Sequence, residues 1–463
     1  MHSAIETIQF RSAGLALCVT LSIAATVWLA YAPQTVLLAA AGLIALILVW
    51  RQPFLGLLGM VLLAMAGELQ HFESGFSVQQ AVAALVTARV ALPIVLGGEN
   101  FRYTGLTLPL FVFALILAGL QARFGGAEIE GLTVLTVLGY PIAFWLFLQL
   151  VRTERQIAWV IAAVAFGAVL AAAGTLLQSF ADFSLLSALR GIDPADRNVV
   201  AEGWERAIGL MQSPNVQAYP YLVAIPLMVA TIFSKPRRWI RLALYAGTGL
   251  CFLGLVITFS RSGYIGLVAG LAWLALALPG SNARRLLAGG AGLVLCTFLL
   301  VPPDIMIARF LAIPEQMGGQ SDRLVHYKAG LATFLRNPLW GGGPRVFGSE
   351  LVKREGGEPD IPHANLLVVA VDSGLLGFAA LGWFLKRYGR LLRRGWGSLG
   401  WSPPRYYALG FCGGLIAFLV QGLFEANMGW SLVWALAAVP ACCVLAEPPI
   451  QNPGFPHSLR QTS

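Results

Sequence analysis

Charge is scarce in this 463-residue chain: Asp, Glu, Lys and Arg make up 11% of it, where a soluble globular protein carries roughly a quarter. With 57% hydrophobic residues and a mean hydropathy of +0.74, an ordinary water-facing surface is excluded. Cysteine is equally sparse. Cys18, Cys251, Cys296, Cys412, Cys442 and Cys443 all fall inside apolar runs, where thiols behave as small hydrophobes. A disulfide framework or a zinc site would need them in the polar links. There is no Gly-rich phosphate loop between a strand and a helix, so nucleotide-fuelled chemistry is excluded. Neither a His-x-x-x-His pair nor an outward Asp-x-Asp is present, which disfavours a metal-dependent mechanism and leaves no cofactor to expect. The net charge of +9 comes without an aromatic-interleaved basic stripe, so nucleic acid is not an expected partner.

What is present is length in the apolar runs. Segments near 12–31, 34–50, 53–69, 77–97, 104–121, 130–151 and 156–180 are followed by others near 209–234, 240–258, 262–279, 285–302, 363–385, 406–424 and 429–446. Each approaches the roughly twenty residues that cross a 30 Å hydrocarbon core. Met1 to Phe10 is polar and short with no cleavage site after it, so the first run reads as a permanent anchor. Alternate links carry Arg51, Arg102, Arg152, the Lys235–Arg241 group, Arg284 and Arg285, and the cluster from Lys386 to Arg405. By the positive-inside rule those links and both termini are cytoplasmic. The expected fold is therefore an all-α polytopic membrane protein with 12–14 transmembrane helices, the first four setting the uncertainty in the count. Its organisation is transmembrane helices over 1–302 with a short outward loop at 181–207, a large outward loop at 303–362, C-terminal helices over 363–446 and a cytoplasmic tail at 447–463.

The outward side collects the residues with chemistry. In the large loop, Ser321-Asp322 starts a helix whose apolar face is read as Leu324, Val325, Leu331, Ala332 and Leu335, leaving Arg323, His326 and Lys328 on the polar face. Asn337-Pro338 ends that helix, and Gly341-Gly342-Gly343-Pro344 turns the chain. His363 stands at the mouth of the next span, behind Pro362 and two residues before Asn365, where an imidazole can exchange protons near neutral pH. It fits equally an interfacial histidine bonded to a carbonyl. Asp372 lies seven residues beyond Asn365, on the same helical face and roughly 10 Å deeper at 1.5 Å per residue. An intramembrane carboxylate marks a wet cavity, or here a structural partner for Arg89. Arg206 and Arg261 sit at the outward surface against the positive-inside bias; their planar forks suit phosphate oxygens, and each could instead anchor headgroups. Asn215, Glu425 and Asn427 mark neighbouring helix mouths.

These pieces, in this order, resemble a known family. Arg206 to Asn215, Phe259-Ser260-Arg261-Ser262-Gly263, Ser321-Asp322-Arg323-Leu324, Asn337-Pro338-Leu339-Trp340-Gly341-Gly342-Gly343 and Pro362-His363-Ala364-Asn365 with Gly374-Leu375-Leu376-Gly377 are similar to the O-antigen ligase and O-antigen polymerase superfamily of bacterial envelope enzymes. The resemblance spans about 200 to 385. It implies a multi-pass protein of the bacterial inner (cytoplasmic) membrane that transfers a glycan from an undecaprenyl-diphosphate carrier to an acceptor hydroxyl at the periplasmic face, with inversion and without metal or nucleotide. In that family the arginines matching Arg206 and Arg261 hold the carrier diphosphate, and the histidine matching His363 is the catalytic base or the aligner of the acceptor. Arg323, Asn215, Asn365, Glu425 and Asp372 join them as substrate-binding candidates. Two departures are visible: Ala364 intervenes where many members have asparagine directly after the histidine, and Asp372 replaces a more usual glutamate.

The expected partners are the undecaprenyl-diphosphate-linked glycan, an acceptor that is lipid A-core for a ligase or a growing glycan for a polymerase, and membrane lipids. A lipid-linked glycan transporter is the reading from another class. It would call for internal repeats and several buried ionisable groups, and only Arg89 and Asp372 qualify.

Overall fold

A computed structural model describes residues 33–70, 77–98, 102, 104–124, 131–191, 199–201, 204–211, 213–300, 304–305, 322–342, 347, 364–397 and 399–446. The chain is an all-α polytopic membrane protein. Helices α1 (Pro33–Arg51) and α2 (Pro53–Met65) lead through a 3-10 turn, Gly67–Gln70, to α3 (Val78–Val95), α4 (Thr107–Phe124), α5 (Gly131–Leu150) and α6 (Glu154–Phe180). The expected 181–207 loop holds a short helix α7 (Leu185–Arg190) and a two-stranded antiparallel ribbon, Val199–Ala201 with Trp204–Glu205. Then follow α8 (Pro214–Phe233), α9 (Arg238–Ile257), α10 (Arg261–Ala277), α11 (Gly280–Leu300), α12 (Asp322–Arg336), α13 (Asn365–Trp396), α14 (Pro403–Gln421) and α15 (Ser431–Leu445). Among the described residues five helices, α3, α6, α8, α9 and α13, are long and apolar enough to cross a membrane, with shorter apolar helices beside them. The anchor expected at 12–31 lies outside the described residues.

Local sequence starts these helices. Ser77 with Gln80 and Thr153 with Gln156 form capping boxes at α3 and α6. Ser213 and Ser260 accept from the N–H three residues on to start α8 and α10. Pro220 and Pro226 lie inside α8, which is tolerated because its neighbours surround it. It is the central helix, with 83% of its most apolar window buried.

Lipid tails are as apolar as leucine, so helix contact inside a bilayer depends on close packing more than on hydrophobicity. The pairing of α10 with α14 shows this. A Cβ on Gly266 would lie 2.5 Å from the Ala417 carbonyl oxygen, and one on Gly270 would lie 2.5 Å from that of Gly413. The two backbones touch where side chains are missing. Elsewhere aromatic rings fill the seams: Tyr140 of α5 stacks on Trp434 of α15 with centroids 5.6 Å apart, and Phe144 of α5 meets Phe384 of α13 edge-on at 5.5 Å.

The bundle has two unlike ends. At one, here the basic end, the Arg102 guanidinium donates to the Leu445 carbonyl and that of Arg387 to the Gly105 carbonyl at 3.0 Å. Lys235 in the α8–α9 link, Arg241 in the first turn of α9, and Arg284 and Arg285 near the start of α11 belong to it. At the other, the loop end, the links 206–211, 258–260 and 422–430 converge.

Helix α13 is longer than the span read at 363–385, and it is broken. Gly374 has φ +57° and ψ −151° inside it, a conformation open to glycine alone. The Asn337–Gly342 turn docks into the break. Leu375 N–H donates to the Pro338 carbonyl (2.9 Å), Leu376 N–H to that of Leu339 (3.1 Å), and Gly342 N–H to that of Val371 (2.6 Å). Backbone groups freed by the break are thus satisfied within the protein, as the interior of a spanning helix requires. Gly341, at φ +75°, approaches so closely that a Cβ would stand 2.4 Å from the Val371 carbonyl oxygen.

Helix α12 forms where expected but turns its other face inward. Against α13 it buries His326, Ala329, Gly330 and Thr333, while Leu331 and Leu335 are 55% and 65% exposed. His326, read as part of a polar face, instead packs its ring 5.6 Å from that of Phe347. The reason is steric: a Cβ on Gly330 would fall 2.5 Å from Leu367, so only the small-residue face fits. The Tyr327, Leu331, Leu335 stripe is left exposed on the outer side. Arg89 also departs from its expected pairing with Asp372. Its Nε donates to the Trp50 carbonyl at 3.1 Å, while Asp372 is buried at the break with Oδ1 unpartnered among the described residues.

Candidate functional site

The loop end is organised by Asn215. Its Oδ1 accepts from Arg206 Nη2 and from Ser260 Oγ, each at 2.9 Å, and its Nδ2 donates to Glu425 Oε2 at 3.0 Å. One amide therefore ties together three links that are distant in sequence. Arg206 is fixed a second time by Nε donating to the Thr258 carbonyl at 3.2 Å, so its fork is aimed before any ligand arrives. Gln421, fully buried at the end of α14, donates to the backbone carbonyl of Asn215 at 3.0 Å.

Arg261 enters this cluster through the turn that carries it. The link from α9 to α10 is only Thr258-Phe259-Ser260, and Phe259 adopts φ +47° with its ring fully buried. A left-handed aromatic residue costs on the order of 1–3 kcal/mol and persists only where its surroundings dictate it. Ser260 Oγ caps α10 through Gly263 N–H (3.3 Å) while donating to Asn215. Arg261 is thereby held at the first position of α10, half-buried. Asn215 occupies the second position of α8. Two helix N-termini, each a partial positive charge, meet at the same amide alongside the Arg206 guanidinium, and Arg261 is the first residue of one of those helices. Such an arrangement favours an anion with several oxygens.

The loop before α8 is stapled from beneath. Gln178 Oε1 accepts from Ile208 and Gly209 N–H at 3.1 and 2.8 Å, and Gln217 Oε1 accepts from Leu210 N–H at 3.0 Å. Gln217 Nε2 in turn donates to the Tyr221 hydroxyl at 2.6 Å. These glutamines were not among the residues singled out in the sequence. Their signal was there, as uncharged polar side chains inside apolar spans.

Asn365 sits nearby in a second amide clamp. Its Oδ1 accepts from the N–H groups of Asn427 (2.9 Å) and Met428 (3.0 Å), its Nδ2 donates to Asn427 Oδ1, and its own N–H donates to the Gly422 carbonyl at 2.7 Å. This clamp fixes the start of α13 to the 422–430 link that carries Glu425. The Tyr327 hydroxyl of α12 donates to the Leu423 carbonyl at 3.2 Å, bringing the amphipathic helix to the same link. Asp372 stands apart from this network, at the α13 break. Arg323 falls in the first turn of α12. His363 lies outside the described residues; Ala364, its neighbour, is buried beside the Asn365 clamp.

Of the candidates, the geometry thus brings together Arg206, Asn215 and Glu425, with Arg261 joined through Ser260 and Asn365 through the Glu425 link. No curated protein matches the chain. Residues 246–382 match a family model described as O-antigen ligase, a stretch running from within α9, across the Ser260-Arg261 turn and α12, to the middle of α13.

Proposed function

We propose, from the match of residues 246–382 to the O-antigen ligase family model, that this protein is a metal-independent inverting glycosyltransferase of the O-antigen ligase and polymerase superfamily. It moves a glycan from an undecaprenyl-diphosphate carrier to an acceptor hydroxyl at the periplasmic face, and acts as an O-antigen ligase on lipid A-core. The observation that carries the reading is the convergence of Arg206 and the Ser260-Arg261 turn on Asn215.

In the reaction, Arg206 and Arg261 bind the carrier diphosphate at the N-termini of α8 and α10. The acceptor oxygen attacks the anomeric carbon from the side opposite the diphosphate. The new glycosidic bond forms as the bond from that carbon to the diphosphate oxygen breaks, inverting the configuration. His363 takes the acceptor proton. The electron pair leaves with the lipid diphosphate, whose growing charge the two guanidiniums meet. Their catalytic contribution is electrostatic, and removing one such preorganised donor typically costs about 10²–10³ in rate. Asn215 is a positioning residue, since it acts through Arg206, Ser260 and Glu425.

The test is the glycan profile of a strain lacking the protein. Long glycans left on the carrier with bare lipid A-core are expected for a ligase. Single repeats on the core would indicate the polymerase reading, which uses the same donor chemistry, and an unchanged profile would overturn both. Complementation with His363→Ala should restore membrane insertion without restoring transfer.

A further inference from the structure

We propose that the cavity between α8, α9, α10 and α11 at the basic end binds one anionic phospholipid of the adjoining leaflet, its phosphate between Lys235, Arg241 and Arg285 and its acyl chain laid along α9 and α11. The cavity has a volume of about 790 Å³, within the range of roughly 300–1,000 Å³ usual for small-ligand sites. It runs from Lys235, Arg241, Asn282 and Arg285 at the mouth to Ile225, Phe252 and Leu271 in the depth of the bundle. The site is remote in sequence from the Asn215 cluster and shares no residue with it.

Its existence follows from missing side chains. Gly249 on α9 and Gly289 and Gly290 on α11 line it, and a Cβ added at any of the three would meet nothing within 4 Å. Whereas the α10–α14 glycines bring backbones into contact, these leave a space open. What surrounds the space is apolar: Val268 and Leu287 along the rim are 68% and 64% exposed, and so face the bilayer. An acyl chain is the apolar occupant a bilayer supplies.

The mouth selects the headgroup. The lining holds three cations and no carboxylate, so the charge there is uncompensated by the cavity itself. Lys235 ends α8 in a left-handed conformation, φ +56°, a position where glycine is the usual residue. Arg241 lines the cavity and is half-buried, the setting in which a long cationic side chain covers apolar surface with its stem and keeps its charge in water. A phosphodiester held by a fork and two further cations, with its chain in an apolar groove, satisfies both halves of the site. A zwitterionic headgroup would bring its own cation into the same mouth.

Native mass spectrometry of the delipidated full-length protein tests this with three probes: phosphatidylglycerol, phosphatidylcholine and inorganic phosphate. Phosphatidylglycerol is expected to bind as a single adduct in preference to phosphatidylcholine. Replacing Lys235, Arg241 and Arg285 by glutamine should weaken it about fivefold for each cation removed, the scale of one basic residue against an anionic leaflet. Gly249→Leu with Gly290→Leu should abolish the adduct with every cation in place; Gly289→Ile serves if that pair fails to elute as a single folded species. Equal binding of the two lipids would overturn the proposal. So would full binding after the cavity is filled, which would reduce the cations to surface attraction, or complete displacement by inorganic phosphate.

Discussion

Arginines stand at both ends of the bundle, but they are held differently. At the loop end Arg206 is fixed by a carbonyl and by the Asn215 amide, which also engages Ser260 and Glu425. At the basic end Lys235, Arg241 and Arg285 border an apolar cavity without a carboxylate in its lining. A guanidinium oriented before its ligand arrives loses little on binding and can stabilise charge as it develops. A cation on a free stem attracts a headgroup and sets topology. On the proposed reading, positive charge acquires a chemical role through the amides around it.

The largest effect that can break this contrast is on transfer. Arg261→Ala is expected to reduce it by about 10²–10³, and Arg261→Lys to restore it only in part, because an ammonium lacks the planar fork. Glutamine substitutions at Lys235, Arg241 and Arg285, none of which shares a contact with the Asn215 cluster, should leave transfer assayed in neutral detergent essentially unchanged. Equal losses at the two ends would erase the distinction.

Next comes the amide. Asn215→Ala leaves both arginines in place while removing the acceptor that aims Arg206 and the donor to Glu425. A loss of about 10–100-fold is expected, the scale for outer supporting contacts. It should fall on kcat more than on KM, whereas a purely structural role would lower the thermal midpoint without that split.

Stability sharpens the comparison from another side. Gly270→Leu forces α10 away from the Gly413 carbonyl and should cost about 1–3 kcal/mol or more, as overpacking does. Leu331→Ser on the outer stripe of α12 should change stability by only about 0.5 kcal/mol, while Thr333→Leu on its buried face should cost more. Thermal unfolding in detergent measures all three.

Much of this was legible in the residues. The link after α9 is too short to hide Arg261, so its place at the junction of two spans was readable from length, while the structure makes it the first residue of α10. The helix over Asp322–Arg336 was readable from its cap and period, but its inward face was not. Hydrophobic periodicity identifies the most apolar face, and beside a bilayer lipid competes for that face. Close packing then selects Ala329 and Gly330. The break at Gly374 was hidden for a related reason: hydropathy runs smoothly through it, and only the distant Asn337–Gly342 turn supplies the hydrogen bonds that allow it. The glutamines Gln178, Gln217 and Gln421 show the same limit, since their partners are backbone groups of other segments.

The central claim is that Arg206 and Arg261 hold one diphosphate together, and equilibrium binding of a polyprenyl diphosphate to the purified protein tests it most directly. Each single alanine variant should bind more weakly, and the double variant should lose less than the sum of the two in free energy, since both act on one ligand group. Undiminished affinity in the double variant would contradict the account.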